Sequence, residues 1–375
     1  MKRIMVFICA GLLIFSQGVL FSQSTDSRPL IQLALLLDTS NSMDGLINQA
    51  KSQLWKIVSE TGRLSRGGIK PVLQVALYEY GNDNLSARSG YIRQVCSFTT
   101  DLDLISCSLF SLSTCGGSEF CGNVINDAVW KMDWDRNPGT LKLIFIAGNE
   151  PFSQGPVSYS SACGSASRKE IIVNTIFCGD YREGVMTQWQ HGADLTGGRY
   201  MNIDSDYEQV YIQAPQDERI SQLNMSLNGT YLGYGASGGQ KKAMQEEQDV
   251  NAAAASPEAL MDRARVKSTA SYSNSSWDLV DAYIAGEVAL SAVSESDLPE
   301  EMRDMTDREK EEYLQALVTE RAAIQAEILR LSIEREAYIA RQRELNAAQS
   351  SVSTLDTAVI EAIRAEAQAK GFDLE

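Results

Sequence analysis

Three oxygen-bearing side chains follow directly after an apolar run near the N-terminus: Asp38, Ser40 and Ser42. Their alternate spacing lets the backbone turn all three toward the same side. One carboxylate and two hydroxyls are hard oxygen donors, the kind of ligand that holds Mg²⁺ in proteins. A simpler alternative is that these residues only cap the next helix, with Asp44 as the cap residue. Because the loop follows the apolar run 31–37 without a break, the pattern favours a metal-binding loop.

The apolar run predicts a buried central strand, and an amphipathic helix is predicted after it at 46–58. The alternation of strands and helices then continues. Further strands are predicted at 72–80, 91–98, 141–148, 170–179 and 199–204, and further helices at 122–134 and 184–195. This order predicts an α/β fold with a doubly wound, mostly parallel, Rossmann-like sheet. Ligands of such sheets bind at the carboxyl ends of the strands, so we expect the loops that follow the strands to meet there.

The loop with Asp38, Ser40 and Ser42 at the end of a buried strand resembles the metal-ion-dependent adhesion site of von Willebrand factor A (vWA) domains. The chain looks like the secreted bacterial branch of that family, and the resemblance covers roughly residues 30–225. It implies that a second loop supplies a hydroxyl and that a third loop supplies an acidic residue.

The second loop of the resemblance is GGSEFCG. Here Ser118 takes the place that the family usually gives to Thr, and Glu119 adds a carboxylate. Thr114 is a second candidate for the hydroxyl. The resemblance therefore implies that this loop lies beside the first loop at the edge of the sheet.

The third loop departs from the family pattern, because Gly148-Asn149-Glu150 stands where the family commonly has an Asp. The amide oxygen of Asn149 can still coordinate an ion, but it brings no charge. Glu119 or Glu150 could restore that charge, and two carboxylates would favour Ca²⁺ or Mn²⁺ almost as readily as Mg²⁺. The expected cofactor is a divalent cation, Mg²⁺ first. In the family an acidic residue of a partner protein fills the open coordination position, and the resemblance implies the same here.

Catalytic constellations are not evident in the sequence. The only histidine, His191, stands near Trp189 in a segment typical of a packed or surface helix. The G-x-S-x-G match at 235–239 does not follow a predicted strand, as a nucleophile elbow must, and a cysteine nucleophile would need a free thiol. We therefore expect a protein that is not an enzyme.

The formal charge of −16 excludes nucleic acid as a primary partner, because the chain offers no basic surface to phosphates. Residues 1–24 combine Lys2 and Arg3 with an apolar run and then small residues, which predicts a secretory signal peptide. An uncleaved anchor is the alternative. We expect a periplasmic or secreted protein with no stable membrane insertion after cleavage.

Six cysteines remain once the predicted signal peptide is removed: Cys96, Cys107, Cys115, Cys121, Cys163 and Cys178. An even number in an oxidising compartment predicts up to three disulfides, with a pairing that the sequence leaves open. A zinc site is the alternative, but the spacing between Cys115 and Cys121 does not suit paired zinc ligands.

The chain after residue 225 is predicted to be a linker at 226–240, a helical region at 241–349 and a helical tail at 350–375. Within 307–348 there is neither Gly nor Pro, and apolar residues recur every seventh position from Leu317 to Leu345. Arg321 and Arg335 interrupt the alternate column of this heptad pattern. The helix could therefore self-associate as a coiled coil or fold back on another helix of the same chain.

These observations favour a secreted or periplasmic module that binds a protein partner through a divalent metal. An alternative keeps the fold but makes the protein a metal-independent scaffold that interacts through its helical tail. A third hypothesis is a hydrolase with an unrecognised site.

Overall fold

A computed structural model of the chain describes residues 28–204, 207, 211–345 and 354–374. Its strands are β1 (Leu30–Asp38), β2 (Leu64–Ser65), β3 (Val72–Tyr80), β4 (Ile92–Thr99), β5 (Leu141–Gly148), β6 (Ile172–Cys178), β7 (Tyr200–Ile203) and β8 (Asp373–Leu374). The main sheet has the order β4-β3-β1-β5-β6-β7, in which β4 pairs antiparallel with β3 and the other pairs are parallel. The predicted doubly wound, mostly parallel sheet is confirmed.

Twelve α-helices accompany these strands in the described residues. They are α1 (Asp44–Thr61), α2 (Leu102–Phe110), α3 (Cys121–Lys131), α4 (Tyr159–Arg168), α5 (Tyr181–Met186), α6 (Trp189–Asp194), α7 (Asp217–Gly229), α8 (Gly238–Ala255), α9 (Pro257–Lys267), α10 (Leu279–Ile284), α11 (Asp307–Leu345) and α12 (Leu355–Ala369). The single helix predicted at 184–195 is instead the two short helices α5 and α6. Between them Gln188 has a φ of 76°, which interrupts the helical backbone.

The two faces of the sheet bury different cores, because side chains of a strand alternate between its faces. Leu33, Leu35 and Leu37 of β1 pack in one core with α1, α12 and the helices between residues 217 and 345. Ala34 and Leu36 pack in the other core, with α3 and α4. Helices therefore cover both faces, which explains why β1 is almost continuously apolar.

The helix α12 belongs to the sheet domain. Its Leu355 and Val359 close an apolar layer against β1, β5 and α1. The backbone N–H groups of Leu355 and Asp356 donate to the buried side-chain oxygens of Gln49 and Gln53 on α1, at 3.0 and 2.7 Å. The predicted 30–225 domain boundary is therefore too short, since the domain is completed by a helix from the predicted tail.

The segment predicted as a linker, 226–240, packs against other parts of the chain. It holds the end of α7, the beginning of α8 and, between them, the buried Tyr231 and Leu232. The Leu232 N–H donates to the carboxylate of Asp278 at 2.6 Å. Glycine and tyrosine, which suggested a linker, here form a tight packed turn.

The helix α11 follows the predicted helix closely, and its last predicted residues, 346–348, lie outside the described residues. Thr306 and Glu309 form a capping box at its start, with the Thr306 N–H donating to the Glu309 carboxylate at 2.8 Å. Leu317, Ile324 and Leu331 of the heptad column are buried within the chain. The structure therefore has α11 folded back on its own chain, which is the second of the two predicted alternatives.

The six cysteines, all within the described residues, differ from the disulfide prediction, because the structure joins none of them by a disulfide. Cys96 and Cys178 are buried in the core on the α1 side of the sheet, whereas Cys121 and Cys163 are buried on the α3 side. The sheet separates these two pairs. The predicted signal peptide, 1–24, lies outside the described residues. None of the helices within the described ranges is both long and apolar enough to cross a bilayer.

Candidate metal-binding site

Asp38, the last residue of β1, lies at the carboxyl edge of the sheet and is fully buried. Its Oδ1 atom accepts a hydrogen bond from the Ser40 N–H at 2.8 Å, which fixes the carboxylate at the start of the loop. Its Oδ2 atom is buried without a hydrogen-bond partner. An unsatisfied buried carboxylate oxygen is costly, so this atom needs a donor or a cation.

The first and third predicted loops meet through their polar side chains. The hydroxyls of Ser40 and Ser42 lie 3.3 Å apart, and the Asn149 side-chain N–H donates to Ser42 Oγ at 3.0 Å. This bond turns the Asn149 Oδ1 atom inward, where it is buried and has no partner. The predicted grouping of Asp38, Ser40, Ser42 and Asn149 is thus present in the structure.

Glu119 comes from the second loop and is only 3% exposed. Its backbone N–H donates to the side-chain oxygen of Gln154 at 3.0 Å, which ties the second loop to the segment that follows β5. Its Oε2 atom is buried without a partner. Its Cγ atom and the Asp38 carboxylate both lie against Gly81, so Glu119 is the acidic residue that the structure places beside Asp38.

Two glycines make room for these carboxylates. Gly81, directly after β3, has a φ of 80°, and a Cβ there would lie 2.7 Å from both Asp38 Oδ1 and Glu119 Cγ. A Cβ at Gly148 would clash with the Tyr80 hydroxyl and lie 3.0 Å from Asp38 Oδ2. The space beside the carboxylates thus depends on the absence of side chains at both positions.

Burial and mutual repulsion dominate the electrostatics of this group. Burial, followed by the nearby Glu119 carboxylate, raises the pKa of Asp38 to about 8. Burial also raises the pKa of Glu119 to about 7, opposed by a hydrogen bond from the Ser40 side chain and assisted by Glu150. Two adjacent buried carboxylates are stable as charged groups only with a positive charge between or beside them.

Two other predicted residues do not join the group through hydrogen bonds. The Thr114 hydroxyl bonds to the carboxylate of Asp44 at the first turn of α1. Ser118 is half-buried and forms a backbone bridge with Gly81, and among the described residues its side chain has no hydrogen-bond partner. The bridge places Ser118 beside the site, while Glu119 carries the contact with Asp38.

The donor set fits a hard divalent cation. The three unpartnered oxygens of Asp38, Glu119 and Asn149 come from three loops, and the hydroxyls of Ser40 and Ser42 adjoin them. Carboxylate, amide and hydroxyl oxygens are the donors that Mg²⁺, Ca²⁺ and Mn²⁺ prefer. In the part of the chain that the structure describes, no cluster of three or more His, Cys, Asp or Glu side chains is placed to hold a metal. The group described above differs from such clusters because only two of its side chains, Asp38 and Glu119, are carboxylates.

Sequence reasoning missed Gly81 and Gln154, although Gly81 stands directly after a predicted strand, where a turn was expected. It placed His191 correctly outside the site. The His191 ring accepts or donates a hydrogen bond with the Tyr159 hydroxyl at 2.8 Å and is exposed. Its neighbour Trp189 is buried and donates to the Glu150 carbonyl at 2.8 Å, which braces the third loop.

Comparison with protein families gave no matching family model, and no curated protein matched. Similar solved structures exist. The protein BatB from Bacteroides thetaiotaomicron is 17% identical over 46% of this chain and 90% of its own, with a TM-score of 0.36. The SpRpn10 VWA domain is 13% identical over 46% of this chain and 88% of its own, with a TM-score of 0.34.

Proximal thread matrix protein 1 from the mussel byssus was also found, in a structure whose MIDAS (metal-ion-dependent adhesion site) motif is occupied by zinc. It is 11% identical over 47% of this chain and 42% of its own, with a TM-score of 0.35. The fold and the site described above rest on the strand order and side-chain contacts of this chain itself.

Proposed function

We propose that the chain is a protein-binding module that holds a divalent cation and presents it to a partner. The observation that carries this proposal is the convergence of three buried, unpartnered oxygens, from Asp38, Glu119 and Asn149, at the carboxyl edge of the sheet. Side chains that only stabilise a fold are expected to satisfy one another. Unsatisfied oxygens gathered at one place are donors that a bound cation would satisfy.

Each of these residues would contribute to cation binding in a different way. Asp38 and Glu119 supply charge, Asn149 supplies a neutral oxygen, and the hydroxyls of Ser40 and Ser42 complete the protein's share of ligands. One or two carboxylates, with water in the remaining positions, suit Mg²⁺, and Ca²⁺ and Mn²⁺ are alternatives. An acidic residue of a protein partner is the ligand proposed to reach the cation from outside the chain.

The proposal includes a periplasmic or secreted location, on the basis of the signal-like pattern in residues 1–24. It does not include catalysis, because the site offers no nucleophile with an adjacent base. The second candidate, a metal-independent scaffold, is favoured by one observation: the Asn149 amide already satisfies its N–H group on Ser42 and brings no charge to the ion.

Calorimetric titration of the purified chain with Mg²⁺, Ca²⁺ and Mn²⁺ separates the two candidates. We expect binding by the wild type, and none by Asp38→Ala, which removes a carboxylate that no other residue replaces. Asp304→Ala, at an exposed acid in the turn before α11, is the matched control and should bind as the wild type does. If the wild type binds no divalent ion, the scaffold candidate is correct.

A partner test follows the metal test. Proteins retained by the immobilised chain in Mn²⁺ should be released by EDTA and should not be retained by Asp38→Ala. Partners retained equally by both forms would instead indicate binding through another surface.

A further inference from the structure

We propose that Glu119 is an internal ligand, which occupies in the partner-free protein the coordination position that the partner's acidic group takes in the complex. This inference rests on the proposed function. Its basis is the placement of Glu119, which is almost fully buried, lies against the same glycine as Asp38 and points an unpartnered oxygen into the site.

Charge balance is the first argument. Asp38 and Glu119 together carry two negative charges, which neutralise a divalent ion. A third carboxylate added to that neutral site would gain little attraction and would also approach Glu150, which follows Asn149 in the third loop. If the partner's carboxylate takes the place of Glu119, the net charge at the ion stays the same.

The attachment of the second loop is the second argument. The backbone of Glu119 is held on one side by the Ser118–Gly81 bridge and on the other by one hydrogen bond from its N–H to the side-chain oxygen of Gln154. Gly116, with a φ of 85°, and Gly117 precede it. Asp38, by contrast, is the last residue of a strand paired on both sides. Of the two carboxylates, Glu119 is therefore the one whose withdrawal disturbs the sheet least.

The exchange itself requires no chemistry beyond ligand replacement. With a cation bound, one oxygen of the incoming carboxylate would replace one oxygen of Glu119 as a ligand, and no proton or electron would need to be transferred. Glu150 serves as a built-in comparison, because it is an acid of the same length in the neighbouring loop that makes no hydrogen bond to the site.

Water-proton relaxation of the Mn²⁺-loaded chain tests the inference, because it reports the number of water molecules bound to the ion. We expect Glu119→Ala to bind one more water than the wild type and to bind Mn²⁺ at least about tenfold more weakly. Acetate, as a probe carboxylate, should then displace water from the ion in Glu119→Ala at concentrations that leave the wild type unchanged. Glu119→Gln, which keeps the size of the side chain, should show the same response to acetate.

Glu150→Gln is the matched control and should leave both the water number and the acetate response as in the wild type. An unchanged water number in Glu119→Ala, with Mn²⁺ bound, would overturn the inference and leave the proposed function standing. Acetate displacing water equally well from the wild type would overturn it too. Absence of Mn²⁺ binding by the wild type would overturn the proposed function itself.

Discussion

Two regions of the molecule bury charged side chains, and they treat them in opposite ways. In the first, Arg263 is fully buried between α2 and α8 and donates to the carboxylates of Asp103 and Asp249 at 2.6 and 2.5 Å. In the second, the site at the carboxyl edge of the sheet, Asp38 and Glu119 each keep an oxygen with no partner.

We call Arg263, Asp103, Asp249 and Lys267 the Arg263 network. This network is closed, which means that each of its charged groups is paired with another member. Lys267 donates to both oxygens of Asp249, at 3.2 and 3.0 Å. Burial alone would raise the pKa of Asp249, but Lys267 and Arg263 hold this pKa at about 2. The comparison teaches that burial of charge alone does not indicate function. Buried charge that the protein has not paired is the informative kind.

The largest expected effect comes from opening the closed network. Arg263→Met removes its cation and leaves Asp103 and Asp249 buried with fewer partners. We expect the free energy of unfolding to fall by about 3 to 5 kcal/mol, the usual consequence of breaking a buried ion pair on one side. Urea unfolding followed by circular dichroism measures this. A loss below 1 kcal/mol would mean that water or Lys267 replaces the arginine, and the network would not be closed in the sense used here.

The next largest effect on stability is expected from a buried carboxylate of which only one oxygen is hydrogen-bonded. Glu366 on α12 is buried, accepts a hydrogen bond from Asn174 of β6 at 3.1 Å, and has one oxygen without a partner. Burial raises its pKa to about 7, opposed by Asn174 and by Arg199. Its contribution to stability is therefore fully present below about pH 4.5 and is lost as the pH rises through 7.

We expect Glu366→Gln to match the wild type near pH 4.5 and to exceed its stability at pH 8, by on the order of 3 kcal/mol. Urea midpoints measured across this pH range test the sign and the size. Glu361→Gln, at an exposed position of the same helix, should show no such divergence. A variant less stable than the wild type at pH 8 would show that the Glu366 carboxylate is paired in solution.

The divalent ion should give a slightly smaller effect. At a free concentration of 100 times its dissociation constant, an ion that binds only the folded chain stabilises it by about 2.7 kcal/mol. Asp38→Ala should abolish this gain, and Asn149→Asp should enlarge it by adding a charge. In EDTA, Asp38→Asn should be at least as stable as the wild type, because it removes an unpaired buried charge.

Unfolding in EDTA and in millimolar Mg²⁺, Ca²⁺ or Mn²⁺ decides this prediction. If only Asn149→Asp responds, the wild-type site has lost its ion. If no variant responds, the three loops do not share one cation.

An exposed ion pair should give the smallest effect. Arg219 of α7 and Glu327 of α11 are joined by two hydrogen bonds, at 3.0 and 3.2 Å, and Arg219 is half exposed. We expect Arg219→Met to change the free energy of unfolding by less than about 1 kcal/mol. The same urea experiment measures it and serves as the control for Arg263→Met. If Arg219→Met and Arg263→Met lost equal free energy of unfolding, the distinction between the buried, closed network and the exposed ion pair would be wrong.

Much of the sheet could be predicted from the sequence, because its strands are dense apolar runs with sharp ends. The strands 72–80 and 141–148 have the predicted bounds, and the loop with Asp38 follows the first strand as expected. Strong local patterns of this kind leave few alternatives. The grouping of Asp38, Ser40, Ser42 and Asn149 followed from the rule that carboxyl ends of parallel strands meet at one edge.

What the sequence could not reveal depends on contacts between distant segments. Arg321 and Arg335 look like defects in a heptad, but Arg321 is buried and bonds to Asp278 at 2.5 Å, and Arg335 bonds to Asp217 at 2.6 Å. No local sequence pattern indicates which residues Arg321 and Arg335 bind. The sequence also could not show that Glu119, rather than Glu150, lies beside Asp38, because this depends on how the two loops fold.

The place of α12 in the chain sets an order for folding during synthesis. The strands β1, β5 and β6 are made early, whereas the helix that covers their shared apolar face is made only after the whole segment between residues 217 and 345. Contacts between segments so far apart form slowly, and an apolar face left open in the meantime is prone to aggregate. A ribosome that stalls within the helical segment would therefore hold a chain whose sheet is uncovered where α12 docks, and a chaperone that binds apolar surface would find its target there until α12 is made.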